Sequence, residues 1–262
     1  MITVAWKWVG VDERWAGVSD ADRAALEVGL RLGEHRDGES VTVVSVGPAG
    51  VERGLREALA AGAGRAIRVD APHGLASAAV ARAIAIVAHD SSWVVCGDLS
   101  NDRGTGSVPA FVAAELAAPQ ALGLVAVEIP DRSSDPLTAI RRLDGGRREV
   151  LAVPSPAVLS VEGAVAGLRR ASLQGEIAAR HTAIDVVAGP AGPLDRPELV
   201  RAFRPRARAR AGPSGDALDR VRALTASAPT AATTETVVLD PAAAADRILA
   251  ALRSWGYRYA DA

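Results

Sequence analysis

An α/β architecture in three layers is predicted for this chain: a mostly parallel sheet with helices on both faces, an antiparallel hairpin at its end, and beyond it a long C-terminal arm and a terminal helix. Three features of the sequence carry that expectation. Short β-branched runs alternate with helix-length amphipathic runs as far as Ile129, and such alternation implies right-handed crossovers and a parallel sheet. Two alternating runs then flank Asp144-Gly145-Gly146, a hairpin signature. Beyond them Pro190, Pro193, Pro197, Pro205, Pro213 and Pro229 punctuate a stretch rich in Ala, Gly and Arg, before Pro241 to Trp255 regains a helical period.

Each element has a local reason. Ile2 to Val9 reads as a strand, and Ser19 is placed to cap a helix through about Arg36, with Leu26, Gly29 and Leu30 on one face and Gly38 past its end. Val41 to Val46 is a continuous β-branched run of the kind buried on both faces. Pro48 then suits a first helical turn, and Val51, Leu55, Ala58, Leu59 and Gly62 follow at helical spacing. Ala66 to Val69 reads as a third strand, Leu75 to Ala88 as a third helix and Trp93 to Cys96 as a fourth strand. A helix from about Ser107 to Ala117 and a strand within Ala121 to Ile129 complete the alternation. Thr138 to Leu143 and Glu149 to Val153 make the hairpin, Ala157 to Val161 is a last apolar run, and no regular element is expected from Gly163 to Asp240. Asp240 is a cap for the last helix, whose Ile248, Leu249 and Leu252 share one side.

Composition narrows the function classes. The 262 residues are 49% hydrophobic, enough for a packed core, and the formal net charge is −1. A near-neutral chain has no global basic field to recruit nucleic acid, so Arg201 to Arg210 reads as an exposed charged arm. One cysteine, Cys96, excludes an intramolecular disulfide and reads as a packed thiol. The N-terminal residues lack a signal-peptide pattern, and no run approaches the ~18 apolar residues of a spanning helix, so a cytoplasmic protein without membrane insertion is expected. His35, His73, His89 and His181 share no metal-ligand spacing, and no nucleophile elbow or other catalytic constellation is present. No metal and no catalytic residue is therefore expected.

Chemistry concentrates in one loop. Gly97-Asp-Leu-Ser-Asn-Asp-Arg-Gly-Thr-Gly-Ser107 joins the fourth strand to the next helix. In an open parallel sheet, ligands settle at the carboxyl ends of the strands, where a following helix offers unpaired N–H groups and a positive dipole end. Gly104 and Gly106 permit close backbone approach, while Thr105 and Ser107 add hydroxyl donors. The loop lacks the lysine of a Walker motif and the spacing of a dinucleotide fingerprint. From spacing alone it reads as a phosphate cradle or as a plain βα turn. Asp98 and Asp102 count against a phosphate unless they face ribose or bind a metal. Trp6 and Trp8, on one face of the first strand, read as packing.

Taken together, these segments resemble the β subunit of electron transfer flavoprotein. Val4-Ala-Trp-Lys7 matches the family's opening V-A-x-K; Ala25 to Glu34 is similar to its first helix, and Val43 to Pro48 with Leu55 to Arg65 to its second unit. The glycine loop resembles G-K-Q-S-I-D-G-D-T-G-Q-V, keeping Gly97, Ser100, Asp102, Thr105, Gly106 and Val108. Asp144-Gly145-Gly146 followed by Pro156-Ala157-Val158 matches the signature hairpin, and Leu168 to Leu173 resembles N-E-P-R-Y-P-S-L, retaining Arg169, Ser172 and Leu173. Departures from the pattern are Asp98 for the family's Lys, Asn101 for Ile, Ala166-Gly167-Leu168 for Asn-Glu-Pro and Val9-Gly10-Val11-Asp12 for V-P-D. They mark a divergent branch, similar to the forms associated with mycofactocin systems.

The resemblance implies a heterodimer with an α subunit that holds most of the FAD, and an AMP bound in this chain. Ala5 and Val46 would line the adenine or ribose side, Gly97 to Asp102, with Ser100, would wrap the nucleotide, and Gly104, Thr105, Gly106 and Ser107 would hold the phosphate. Arg169 and Leu173 would belong to a loop docking onto a donor dehydrogenase, with a membrane quinone reductase as acceptor. The chain would be an electron carrier half without acid, base or nucleophilic catalysis of its own. The implied organisation is a nucleotide-binding domain over 1–162, an extended partner-clasping arm with the docking loop over 163–240, and a C-terminal helix over 241–262. The competing expectation is a stand-alone adenine-nucleotide-binding module resembling universal-stress sensors.

Overall fold

A computed structural model describes residues 1–10, 16–36, 38–129, 136–192, 194, 215–225 and 237–255. Most of the proline-punctuated arm, the Arg201 to Arg210 run and Val11-Asp12 lie outside the described residues. The chain divides into two compact units, Met1–Val200 and Arg201–Ala262.

The first unit is built on a nine-stranded sheet. Its strands are β1 (Ile2–Ala5), β4 (Val41–Gly47), β5 (Arg65–Asp70), β6 (Trp93–Gly97), β7 (Gln120–Glu128), β8 (Leu137–Arg142), β9 (Arg148–Val153), β10 (Ala157–Val161) and β11 (Asp185–Ala188). Their order is β11-β5-β4-β1-β6-β10-β7-β8-β9. Pairing is parallel from β11 through β7 and antiparallel from β7 through β9, as the hairpin signature predicts. The last apolar run, β10, is buried throughout and inserts between β6 and β7.

Side chains alternate across this sheet, so each strand feeds two cores. Val43, Val95 and Leu159 face α1 (Asp20–His35) and α2 (Glu52–Ala61), whereas Val44, Val94, Cys96 and Val158 face α3 (Ser77–Ala88) and α4 (Val108–Glu115). The three-layer prediction is met. Ser19 caps α1, its Oγ accepting from the Asp22 amide at 3.0 Å. Gly29 brings α1 close to the sheet, since a Cβ there would lie 2.6 Å from Val4 Cγ2.

Three places differ from the sequence expectation. The strand predicted over Ile2 to Val9 stops at Ala5, and Trp8–Val9 (β2) pairs instead with Gly17–Val18 (β3) in a separate two-stranded ribbon. Both tryptophans pack on Gly54 of α2: Trp6 Nε1 donates to the Gly54 carbonyl at 2.8 Å, and a Cβ on Gly54 would lie 2.9 Å from the Trp8 ring. Between Gly163 and Asp240, where no element is predicted, α5 (Leu173–His181) packs on α2, β11 joins the sheet edge, and α6 (Ala217–Thr225) forms in the second unit. Finally, Leu173 opens α5 and is not in a loop.

The second unit contributes α6 and α7 (Pro241–Ser254). Asp240 caps α7 as expected, accepting from the amides of Ala242 and Ala243 at 3.1 Å. Ile248 and Trp255 are exposed.

Candidate functional site

The chain order reverses at β1: β4 and β5 lie on one side of it, and the crossover through α3 returns the chain to β6 on the other. A crevice at the carboxyl ends of strands flanking such a reversal is the expected ligand position. A cavity of about 640 Å³ occupies it, within the range of roughly 300–1,000 Å³ typical of small-molecule sites. Its floor is formed by Ala5, Val44, Val46, Cys96 and Gly97, and its apolar side by Val51, Val80 and Ile84. The loops after β5 and β6 and the β2 ribbon complete the wall.

Of the sequence-predicted nucleotide residues, Ala5, Val46, Gly97, Ser100, Asp102, Thr105, Gly106 and Ser107 all line this cavity. Gly104 is not among the lining residues; a Cβ there would lie 3.2 Å from Leu99 Cδ1. Arg169 and Leu173 do not line it.

The glycine loop has the backbone form of a cradle. Gly104 and Gly106 adopt φ of +58° and +61°, the left-handed region where a side chain is strained. A Cβ at Gly106 would also lie 2.9 Å from the Asp98 carbonyl oxygen. Among the described residues, the amides of Gly104, Thr105, Gly106 and Ser107 donate to no backbone carbonyl. The Thr105 and Ser107 hydroxyls pair with each other at 2.9 Å. Ser107 then opens α4 without a side-chain cap, with Pro109 in its first turn. Amides that donate to no backbone carbonyl, beside an uncapped helix start, are the kind of donors that can hold an anion.

Of the two aspartates that counted against a phosphate, Asp102 is paired with a cation. Lys7 Nζ donates to Asp102 Oδ1 at 2.7 Å, and the Ser100 hydroxyl donates to the same oxygen at 2.7 Å. Burial pushes the Asp102 carboxyl up, but Lys7 and Ser100 outweigh it and hold the group at about 2. Asp98 is raised, first by burial and then by Glu162, while its amide donates to the Val161 carbonyl at 3.0 Å.

Sequence reasoning passed over Asp22, which is buried on the cavity wall. The Ser19 hydroxyl donates to its Oδ2 at 3.0 Å. Burial drives the Asp22 carboxyl up to about 7 against the Ser19 hydroxyl, the Lys7 charge and the backbone amides of Gly97 and Lys7. The Ser19-x-x-Asp22 spacing at a helix start was the available signal. Cys96 is pushed up to about 12, first by burial and then by Asp22, so its thiol stays protonated and is a poor nucleophile. Among the described residues, no group of three or more His, Cys, Asp or Glu side chains could hold a metal ion. Trp8 also reaches the cavity, with the Arg53 guanidinium 5.4 Å from its ring centroid.

The site fits an adenine nucleotide on three counts. Val44, Val46, Val80 and Ile84 offer apolar walls to a base. The two left-handed glycines with their unclaimed amides offer a phosphate cradle. The carboxylate nearest that cradle in sequence, Asp102, is neutralised by Lys7.

Known proteins are similar to this chain. The family described as "Electron transfer flavoprotein domain" matches residues 7–190. Over 164 residues the chain is 34% identical to the electron transfer flavoprotein subunit beta of Methylophilus methylotrophus, covering 60% of this chain and 61% of that protein. Over 176 residues it is 31% identical to the corresponding subunit of Syntrophomonas wolfei, covering 66% and 68%. Protein FixA of Rhizobium meliloti is 30% identical over 176 residues, covering 64% and 60%. The match to the Methylophilus protein thus spans about three-fifths of that relative's length.

Proposed function

Because the chain belongs to the electron transfer flavoprotein family, in its β-subunit line, we propose that it is one half of a heterodimeric electron carrier and that its cavity holds AMP. The observation that supports the nucleotide most directly is the glycine cradle at the sheet's reversal point. In this reading Ala5 and Val46 meet the adenine or ribose, Ser100 and Asp102 border the sugar, and the amides of Gly104 to Ser107, with the Thr105 hydroxyl, hold the phosphate. Lys7 has two tasks: it neutralises Asp102 and ties the end of β1 to the glycine loop.

FAD, held mainly by an α subunit, supplies the one- and two-electron chemistry when bound. The residues of this chain bind, orient and exclude water, and the buried, protonated Cys96 takes no part as a nucleophile. Electrons pass from a donor dehydrogenase, docked through Leu173 on α5, toward a membrane quinone reductase. The exposure of Leu173, at 78%, supports a docking anchor. Residues 1–162 form the nucleotide domain, 163–240 the docking element and clasping arm, and 241–262 the terminal helix. The exposed Ile248 and Trp255 support a role for α7 in holding the α subunit. The divergent motif positions, Asp98 and Asn101 among them, support a mycofactocin-associated branch, and cytoplasmic residence completes the reading.

The test is co-expression with a candidate α subunit. A yellow complex with a flavin absorbance spectrum, releasing AMP and FAD on denaturation, is expected. A complex carrying flavin without AMP would remove the nucleotide from this chain. Nucleotide retained by a chain that joins no α subunit would favour the stand-alone module.

A further inference from the structure

Arg169 ties the segment after β10 to α1 by charged hydrogen bonds. Arg169 donates through its backbone amide to Glu27 Oε2 at 3.1 Å, through Nε to the same oxygen at 3.0 Å, and through Nη2 to Glu27 Oε1 at 3.1 Å. The same guanidinium reaches Glu34, two turns further along the same face of α1, Nη2 to Oε2 at 3.2 Å and Nη1 to Oε1. Glu27 is almost fully buried, its side chain 5% exposed, and it also accepts from Arg31 at 2.9 Å. Burial would raise the Glu27 carboxyl, yet Arg169 and Arg31 hold it below its ordinary range. Glu34 and then Glu27 raise the Arg169 guanidinium in turn.

Four residues later α5 begins, and it is seated at both ends. Ser172 Oγ accepts from the Gly175 amide at 3.0 Å. Gly175 lies so close to α2 that a Cβ would be 2.7 Å from the Ala60 carbonyl oxygen. At the far end, Arg56 of α2 donates to the Ala179 carbonyl at 2.6 Å and to those of Arg180 and Thr182 at 3.3 Å, satisfying carbonyls that a helix end leaves unpaired. The outward face of this rigidly held helix carries Leu173 and Ile177, 78% and 52% exposed and one turn apart.

We propose that Arg169 is a positioning residue for partner docking: by binding Glu27 and Glu34 together it locks the stem of α5 and holds Leu173 and Ile177 in a preformed apolar face. The inference rests on the docking role of Leu173 proposed above. It reassigns Arg169 from contact with the partner to organisation of the surface that makes the contact. A preformed face lowers the ordering cost of a small transient interface. A guanidinium suits this bridge better than an ammonium, because its planar fork serves two carboxylates at once.

Hydrogen exchange on the full chain in its α-subunit complex tests the lock. Arg169→Met should accelerate exchange across residues 168–182 by about tenfold or more, with β6 and nucleotide content unchanged. Arg169→Lys should fall between it and wild type, and Glu34→Gln, which leaves the buried Glu27 pair intact, should give a smaller rise that remains readable if Arg169→Met folds poorly. With the dehydrogenase that reduces the wild-type complex, Arg169→Met should raise KM for the carrier about fivefold while kcat is retained. Unchanged exchange in both Arg169→Met and Glu34→Gln overturns the lock. Faster exchange with an unchanged KM overturns its role in docking. Leu173→Ala separates the layers, since it should raise KM without altering exchange. An unchanged KM in Leu173→Ala would mean that the docking reading itself has failed, and this inference with it.

Discussion

Gly106 and Thr105 are neighbours in one loop, yet substitution should affect them unequally. Thr105→Ala removes one hydroxyl donor and leaves the backbone amides in place. A charge-assisted contact of about 1.5–3 kcal/mol corresponds to nucleotide retention weakened by about tenfold to a hundredfold. Gly106→Val strains the φ of +61° and drives a side chain onto the Asp98 carbonyl, so it should abolish retention, as read by chromatography of nucleotide released from the purified complex. Equal nucleotide in Gly106→Val and wild type would reduce the loop to a turn. Asp22 adds a pH dependence at the same site. Its carboxyl titrates near 7 in the folded protein and near 3.8 in the unfolded chain. Between those values the folded state binds more protons than the unfolded one, so this group makes stability fall as pH rises from about 4 to 7, then level off. Above pH 7 the ionised carboxylate also repels a phosphate in the same cavity. Asp22→Asn should therefore flatten the fall in melting temperature between about pH 4 and 7 and the loss of nucleotide as pH rises through about 7; identical profiles in the two proteins would rule out Asp22 as the titrating group.

At the scale of elements, α5 decides whether the exposed apolar face is a working surface. Leu173→Ala should slow electron acceptance from the donor without changing flavin content, because the side chain is 78% exposed and packs in no core of its own. Transfer rates equal to wild type across donor concentrations would remove Leu173 from the interface. The same helix marks the boundary of what could be read from sequence. β4, β6 and β10 were legible as continuous apolar runs because both faces of each are buried. α5 was not, because it is held by a glycine against the Ala60 carbonyl, by buried Ala179 and by arginine contacts, none of which leaves a hydrophobic period. β11 escaped notice for a related reason: it is a four-residue edge strand with Val186 half exposed. The glycine loop was visible in its own letters. Its partners were not, since Lys7 meets Asp102 across 95 positions of chain and no local pattern encodes that meeting.

At the scale of the molecule, the division after Val200 sets where the chain can be cut. The expected clasping role of the C-terminal residues predicts that a chain ending at residue 200 folds but joins no α subunit. Circular dichroism would report the retained fold and gel filtration the lost complex; an intact heterodimer would exclude the second unit from the interface. A shorter cut, ending at residue 189, should behave differently. Leu194 bridges to Leu75, and a Cβ on Gly192 would lie 2.6 Å from Ala79 Cβ, so the segment just past β11 is laid against the start of α3. Leu75 is also a wall residue of the cavity, and its carbonyl accepts from Arg103 of the glycine loop at 2.6 Å. Removing residues 190–200 uncovers Leu75 and frees the loop that holds it. Its effect should therefore reach the nucleotide, through a wall whose own residues all remain in the chain. The expected order is nucleotide retained by the chain ending at 200 and lost, or held at least about tenfold more weakly, by the chain ending at 189. Calorimetric titration of AMP into the two truncated chains, with dichroism confirming that both are folded, distinguishes this from a general loss of stability, and equal affinities would show that the β11 edge and the cavity are independent.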